Sequence, residues 1–330
     1  MKKSAITIAD IANATGVSKA TVSLALNNNH LVKDETMEKV RLAAKKLGYV
    51  PNTSARRLVR GKSGMLGVVV PDIENVYYAS LVKEFSDRVS DVGYSLSIFI
   101  SSNDPAKEER AIGDMIASRV EGIIYVPTNA AGESSALTMI QHSGIPAVCA
   151  TTRTDGMNCV LCDLEDGMRR LMERLITDRP QRMVYLDGAA GVYALDCRRK
   201  AFLEATSLPG LNTEVMHLPA VDYLSAQRAI EKLDRLPDVI VCVNDFMALG
   251  VVNLLTGRGI SVPRDVSVTG FDDSVFSISS PVPLTTVKQD IGTLAEKTVD
   301  LLLRMMSSET SAEREVIYIP TEVIVRKSTK

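Results

Sequence analysis

One capped, apolar-striped segment broken by a single glycine governs the first thirty residues. Thr7-Ile8-Ala9-Asp10-Ile11-Ala12-Asn13-Ala14-Thr15-Gly16 begins on a capping residue, places Ile8, Ile11 and Ala12 on one helical face, and ends on a glycine free to take a positive φ. Val17 then fills the inside of the turn, and Ser18 caps a second helix from Lys19 to Leu26, in which Val22 and Leu26 recur at i, i+4. Helix, glycine turn, helix is the helix-turn-helix pattern. A third helix, from Asp34 to about Leu47, presents Met37, Val40, Ala44 and Leu47 to cover the first two. Gly48 stops it, and Asp34 and Glu35 in its first turn offset the poor N-cap Lys33.

The face opposite Val22 and Leu26 carries Lys19, Ala20, Ser23, Leu24 and Asn27, short or flexible side chains with no reason to be buried together. In a helix-turn-helix such positions meet base edges and phosphates. Charge points the same way. The net charge of -2 conceals 12 Lys and Arg against 4 Asp and Glu in residues 1–62, and 26 against 36 in the remainder. A basic first segment on an acidic body implies a polyanion partner, although a solvated basic face is the reading that charge alone leaves open.

Thr7 through Asn27, with Gly-Val-Ser-Lys-Ala-Thr-Val-Ser at 16 to 23, then Tyr49-Val50-Pro51-Asn52 and Ala55-Arg56-Arg57-Leu58, resembles the lactose-repressor, galactose-repressor and purine-repressor family of transcriptional regulators. The likeness runs through the rest of the chain. It implies a sequence-specific DNA-binding repressor governed by a small-molecule effector and acting as a homodimer on palindromic double-stranded operator DNA. The DNA contacts it implies are Thr7, Ile8, Ser18, Lys19, Ala20, Thr21, Ser23, Leu24 and Asn27. It also implies a hinge helix that folds only on the operator, where Leu58 wedges between central base pairs of the minor groove and Ala55 lies one turn earlier. A helix this short is marginal in water, and Pro51 and Asn52 suit its start. An ordinary linker, with Leu58 packed on the next domain, is the competing account. Leu24 stands where many members carry a hydrogen-bonding side chain; leucine suits a thymine methyl or a sugar, leaving Lys19 to donate to a guanine acceptor.

After Lys62-Ser63-Gly64 the texture changes to short apolar runs: Leu66 to Val70, Leu96 to Ile100, Gly122 to Val126, Met183 to Leu186, Val239 to Val243 and Val266 to Val268. Helical segments fit between them, such as Tyr78 to Val92, with Leu81, Phe85 and Val89 at i, i+4, i+8 and Gly93 after its end. Alternating strand and helix implies βαβ units and parallel sheet, with one set before and one after about residue 160. The expected fold is an all-α helix-turn-helix domain (1–50), a hinge helix and linker (51–62) and an α/β bilobed periplasmic-binding-protein-like domain (63–330) of two doubly wound parallel sheets. The first lobe takes about 63–159 and 287–318, the second about 160–286 and 319–330. The return of the chain into the first lobe near Val287 is implied by the resemblance alone.

Ligands of open parallel sheets bind outside the carboxyl ends of the strands, where Asn244-Asp245 and Gly270-Phe271-Asp272-Asp273 follow apolar runs. The resemblance puts Asn244, Asp272, Arg198 and Gln289 in an effector cleft, with Tyr77 and Tyr78 on the other lobe. Paired Asp and Arg hydrogen bonds to vicinal hydroxyls, with an aromatic ring over the apolar face, suit sugars best and nucleobases next. The competing account has Asp272 capping the next segment and Arg198 pairing with Asp196 or Glu204. Val221 stands where many sugar-binding members have an aromatic, with Tyr223 nearby, and Thr151 where an aspartate is common. The effector is then smaller or less polar than a disaccharide, or Tyr193 compensates.

Other classes find little support. His30, His142 and His217 are scattered, no Gly-x-Ser-x-Gly elbow occurs, and Gly61-Lys62-Ser63 lacks the earlier glycine of a phosphate loop, so neither an enzyme nor a cofactor is expected. The Cys159-x-x-Cys162 pair spans Val160 and Leu161, which read as a buried strand, and no second Cys pair completes a zinc site. An odd set of five cysteines, Cys149, Cys159, Cys162, Cys197 and Cys242, speaks against a disulfide framework. Met1-Lys2-Lys3 does not open a signal peptide and no apolar run approaches the roughly 20 residues of a membrane span, so a cytoplasmic location without membrane contact is expected. No leucine heptads follow Val325, so a terminal helical bundle is not expected. The rival of a different class is a solute-binding protein without DNA function, which shares the bilobed fold but lacks a reader.

Overall fold

The computed structural model describes residues 6–26, 31–49, 63–128, 134–307 and 314–330, so Asn27, Ala55, Leu58 and the expected hinge 51–62 lie outside the described residues. The chain falls into two compact units, Met1–Ser63 and Gly64–Lys330.

The smaller unit contains α1 (Ile8–Thr15), α2 (Lys19–Leu26) and α3 (Asp34–Leu47). The Asp10 carboxylate accepts from the Thr7 backbone N–H at 2.8 Å and from its hydroxyl at 2.7 Å, fixing the start of α1. Gly16, at φ 71°, ends the helix and donates its N–H to Ala12 O at 2.8 Å. The Ser18 hydroxyl accepts from Thr21 N at 3.0 Å to begin α2. Ile11, Ala12, Val22, Ala25, Val32, Val40 and Ala44 form the buried core. Two expectations need correction. On α2 it is Ala25, not Leu26, that joins Val22 at the centre, because its methyl lets the three short helices approach closely. Leu24 and Leu26 are both half-buried against the cluster's rim. On α3, Leu47 lies past the contact and is partly exposed.

The larger unit alternates strand and helix: β1 (Met65–Val70), α4 (Val76–Asp91), β2 (Ser95–Ile100), α5 (Pro105–Ala117), β3 (Gly122–Tyr125), α6 (Ser135–Ser143), β4 (Ala147–Ala150), β5 (Asn158–Cys162), α7 (Leu164–Ile176), β6 (Arg182–Asp187), α8 (Tyr193–Thr206), β7 (Asn212–His217), α9 (Tyr223–Glu231), β8 (Val239–Cys242), α10 (Asp245–Gly257), β9 (Ser267–Thr269), α11 (Val275–Ser279), β10 (Thr286–Gln289), α12 (Ile291–Met306), β11 (Val316–Ile319) and β12 (Thr321–Ile324). Two parallel sheets result, in the orders β11-β5-β4-β3-β1-β2 and β7-β6-β8-β9, beside an antiparallel pair of β10 with β12. Strands β1, β3, β6 and β8 are almost wholly buried, which is why they read as unbroken apolar runs; β4, equally buried, does not stand out among them. On α4, Leu81, Phe85 and Val89 are fully buried, each stabilising by about 1.5–3 kcal/mol. The helix starts two residues before the expected Tyr78, because Asn75 Oδ1 accepts from Tyr77 N at 3.0 Å.

Three segments cross between the sheets: Cys162 to Leu164, β10 into α12, and β11 into β12. They are bonded to one another and to the second sheet. Asp163 N–H donates to Ile319 O at 2.9 Å, Thr321 Oγ1 to Asp163 O at 3.1 Å, and Asp272 N–H to Val287 O at 2.8 Å. Gly167 on α7 has no side chain because a Cβ there would come within 2.6 Å of Thr321 Oγ1 and 2.8 Å of Val287 Cγ1. The chain end returns to the second sheet, where Val268 N–H donates to Ser328 O at 2.9 Å.

Candidate functional site

In the smaller unit Thr7, Ser18, Lys19 and Ala20 are exposed, whereas Ile8, Thr21, Ser23 and Leu24 are half-buried. The exposed set brackets the Gly16 turn and the first turn of α2, the end of a helix-turn-helix that can enter a groove. Leu24 gives part of its surface to the core, leaving only an apolar edge for contact.

In the larger unit a cleft of about 700 Å³ opens between the two lobes, a size suited to a small molecule. Tyr77, Tyr78, Arg198, Asn244, Asp272 and Gln289 all line it. They arrive from separate elements: the tyrosines from the first turn of α4, Arg198 from α8, Asn244 from the cap of α10, Asp272 from just beyond β9, and Gln289 from the crossing strand β10.

Four of them form one hydrogen-bonded chain. The Tyr77 hydroxyl donates to Gln289 Oε1 at 3.2 Å, Gln289 Nε2 donates to Asp272 Oδ1 at 2.8 Å, and Arg198 Nη2 donates to the same oxygen at 3.2 Å. Arg198 Nη1 completes the chain on Val243 O at 2.5 Å, and its guanidinium lies 3.8 Å above the centre of the Phe271 ring. Arg198 therefore pairs with Asp272, while it is Arg199 that engages Asp196, together with Asp187 at 2.6 Å. Burial pushes the Tyr77 phenol well up, so it stays protonated and acts as a donor. Burial also raises the Asp272 carboxyl, against the opposing pull of Arg198 and Gln289. Asp272 holds φ at 106°, fixed by its backbone bond to Val287 and followed by Asp273 at φ 54°.

Asn244 has a structural task as well: its Oδ1 accepts from Met247 N at 2.8 Å and caps α10. Val221 and Thr151 both line the cleft. Tyr193 and Tyr223 do not line it; Tyr193 packs towards the first-lobe cluster, and Tyr223 lies tilted against Phe246, ring centres 5.8 Å apart, and accepts from Asn253 at 2.9 Å. The aromatics that do reach the cleft from the second lobe are Phe246 and Phe276, stacked at 4.9 Å. Neither had a sequence signal beyond Phe246 following Asn244-Asp245 at the head of a helix.

Behind this wall Asp245 is buried and accepts from Ser274 N at 2.7 Å, Ser274 Oγ at 3.0 Å and Thr286 Oγ1 at 2.6 Å. Its carboxyl is pushed up to about 7, by burial first and then by the neighbouring charge of Asp272. Among the described residues no helix is long and apolar enough to cross a membrane, and no cluster of three or more His, Cys, Asp or Glu is placed to hold a metal ion.

The family model "Bacterial regulatory proteins, lacI family" matches residues 7–52, and that of a periplasmic-binding-protein-like domain matches 172–329. Catabolite control protein A of Priestia megaterium is 31% identical over 336 residues, covering 98% of this chain and 99% of the relative. The chain belongs to the LacI family of bacterial regulatory proteins. Within that family the Lac repressor dimer bound to operator and the anti-inducer ONPF superimposes with a TM-score of 0.85 at 25% identity, covering 99% of each chain. The transcriptional regulator CelR in complex with cellobiose gives a TM-score of 0.70 at 25% identity, covering 98% of this chain and 99% of that one. As a LacI-family member the chain is a DNA-binding transcriptional regulator and not an enzyme.

Proposed function

We propose that this regulator is a cytoplasmic repressor that binds a palindromic operator as a homodimer and is controlled by a neutral sugar or sugar derivative in the interlobe cleft. The observation that carries the reading is the chain Tyr77–Gln289–Asp272–Arg198, which ties the first lobe to the second through a crossing strand at the floor of a ligand-sized cavity. A ligand whose hydroxyls compete for Asp272 and Arg198 acts directly on the contact between lobes, and so binds one lobe arrangement better than another. Sugar chemistry is supported by the acid and guanidinium converging there, by the Phe246–Phe276 stack, and by the cellobiose held by the related CelR. The dimer is supported by the dimeric Lac repressor relative, by Ile98 and Ile100 exposed on the edge strand β2, and by Val275 and Ile278 exposed on α11.

In this reading Thr7, Ser18, Lys19 and Ala20 meet DNA, with Ile8, Thr21, Ser23 and Leu24 at their margin. The lobes take about 63–159 with 287–318, and 160–286 with 319–330. A solute-binding protein without DNA function is disfavoured by the match over residues 7–52. The test is a thermal-shift screen of sugars, cellobiose among them, and of nucleobases, followed by operator binding with and without any hit. A stabilising sugar whose effect survives unchanged in Arg198→Met would remove the cleft from the proposal. Removal of residues 1–62 should abolish operator binding while leaving the stabilisation by sugar intact.

A further inference from the structure

Cys149 and Cys159 stand directly opposite each other in the pairing of β4 with β5. Residues so paired have Cα atoms roughly 4.8 Å apart with side chains on one face, inside the ~4.4–6.8 Å that a disulfide spans. Both pack into the face of the first sheet that holds Ile123 and Leu161, whereas Cys162 packs into the opposite face. The Cys-x-x-Cys spacing of the sequence is therefore not the pair that meets; the register brings together two cysteines ten positions apart.

The two cysteines stand side by side in the strand pairing, and both hold the loop between their strands. Cys149 Sγ donates to Thr152 O at 3.2 Å and lies 3.1 Å from Thr154 Oγ1, while Thr154 N–H donates to Cys159 Sγ at 3.4 Å. Thr151, at φ 71°, and Thr152 line the cleft at the head of this loop.

We propose that Cys149 and Cys159 are a redox-modification pair, oxidised by hydrogen peroxide to a disulfide that releases the Thr151–Met157 loop from the edge of the cleft. The Cys159 thiolate attacks one peroxide oxygen, the O–O bond breaks, and the departing hydroxide takes a proton to become water. Cys149 gives up its proton and attacks the resulting sulfenic sulfur; the S–S bond forms, the S–O bond breaks, and a second water leaves. The two thiols lose two electrons and the peroxide gains them. The order follows from the surroundings: the neighbouring Cys149, with the Thr154 backbone N–H and Arg153, draws the Cys159 thiol down, while burial holds Cys149 up. Both sulfurs are buried, so opening of the loop sets the rate. Once linked, neither sulfur carries a proton, and the Thr152 carbonyl loses its donor.

The pairing stands whatever the cleft binds; its consequence for an effector rests on the reading of the cleft given above. The test uses the full chain in a Cys162→Ala background, treated with hydrogen peroxide, denatured, alkylated and peptide-mapped. The expected product is a Cys149–Cys159 link reversed by dithiothreitol, with Cys197 and Cys242 alkylated. Hydrogen exchange over residues 151–157 should be several-fold faster in the linked protein, and Cys149→Ser, or Cys149→Ala if the serine variant misfolds, should show neither link nor acceleration. No link between these two residues, or a link that leaves exchange of the loop unchanged, overturns the proposal. Neither readout requires a known effector, so failure here is separable from failure of the sugar reading.

Discussion

Tyr77 and Gln289, 212 residues apart in sequence, meet at 3.2 Å at the wall of the interlobe cleft. The bond joins the first turn of α4 to a strand that passes between lobes, and through Gln289 it reaches the buried Asp272–Arg198 pair. Opening or closing the cleft therefore acts on this chain of contacts where Gln289 meets Asp272.

Tyr77→Phe should therefore shift the balance of lobe arrangements without disturbing the fold. A neutral hydrogen bond contributes about 0.5–1.5 kcal/mol, so operator affinity in the absence of effector should change by roughly 2- to 12-fold. Fluorescence anisotropy on operator DNA reads this, and identical affinity would mean that the bond does not differ between the two arrangements.

Asp272→Asn tolerates the same positive φ but leaves Arg198 buried without its counter-ion. The Val243 carbonyl and the Phe271 ring still hold the guanidinium, so a loss of about 2 kcal/mol is expected rather than the 3–5 kcal/mol typical of a stranded charge. Calorimetry should show a fall in melting temperature of roughly 4–8 °C; an unchanged melting temperature would count against the pair as described.

Asp245 gives a pH signature. Its carboxyl titrates near 7 in the folded chain against 3.8 ordinarily, so the folded state holds a proton that the unfolded state has released between these values. Its contribution is fully present below about pH 4 and is lost as pH rises through 7. Subtracting the melting curve of Asp245→Asn from that of the parent should leave a difference that declines over pH 4–7 and is flat above; a difference independent of pH would contradict the assignment.

Lys19→Ala addresses the reader. Lys19 is exposed at the first position of α2, beside the small Ala20. Binding-site selection with the variant should relax preference at one symmetric position in each half-site, and full retention of that preference would exclude Lys19 from base contact.

The helix-turn-helix could be read from residues because its determinants are local: the Thr7 cap, the Gly16 turn and the Ser18 cap all act within a few positions. Its finer packing was not, because whether Ala25 or Leu26 faces α1 and α3 depends on how closely three helices approach. The parallel sheets are legible through runs buried on both faces, whereas the exposed-edge strands β2 and β7 mix polar and apolar residues, and β7 carries no extended apolar run. In the cleft, Asp272, Asn244 and Arg198 were found through their place after strands and through family likeness. Phe246 and Phe276 were not, since their stacking depends on how α10 meets α11. Register is equally non-local: sequence spacing pairs Cys159 with Cys162, and the sheet sets it beside Cys149.

Three crossing segments, laced together at Asp163, Ile319, Asp272 and Val287, tether one lobe to the other. A single tether would let the lobes drift, and two would leave a swing door. With three in parallel, sliding apart breaks backbone bonds while twisting merely strains them, so the lobes share a torsion spring. A ligand that rearranged the lobes would therefore act by rotation about the crossing, a displacement small at the axis and largest at the far ends of the lobes.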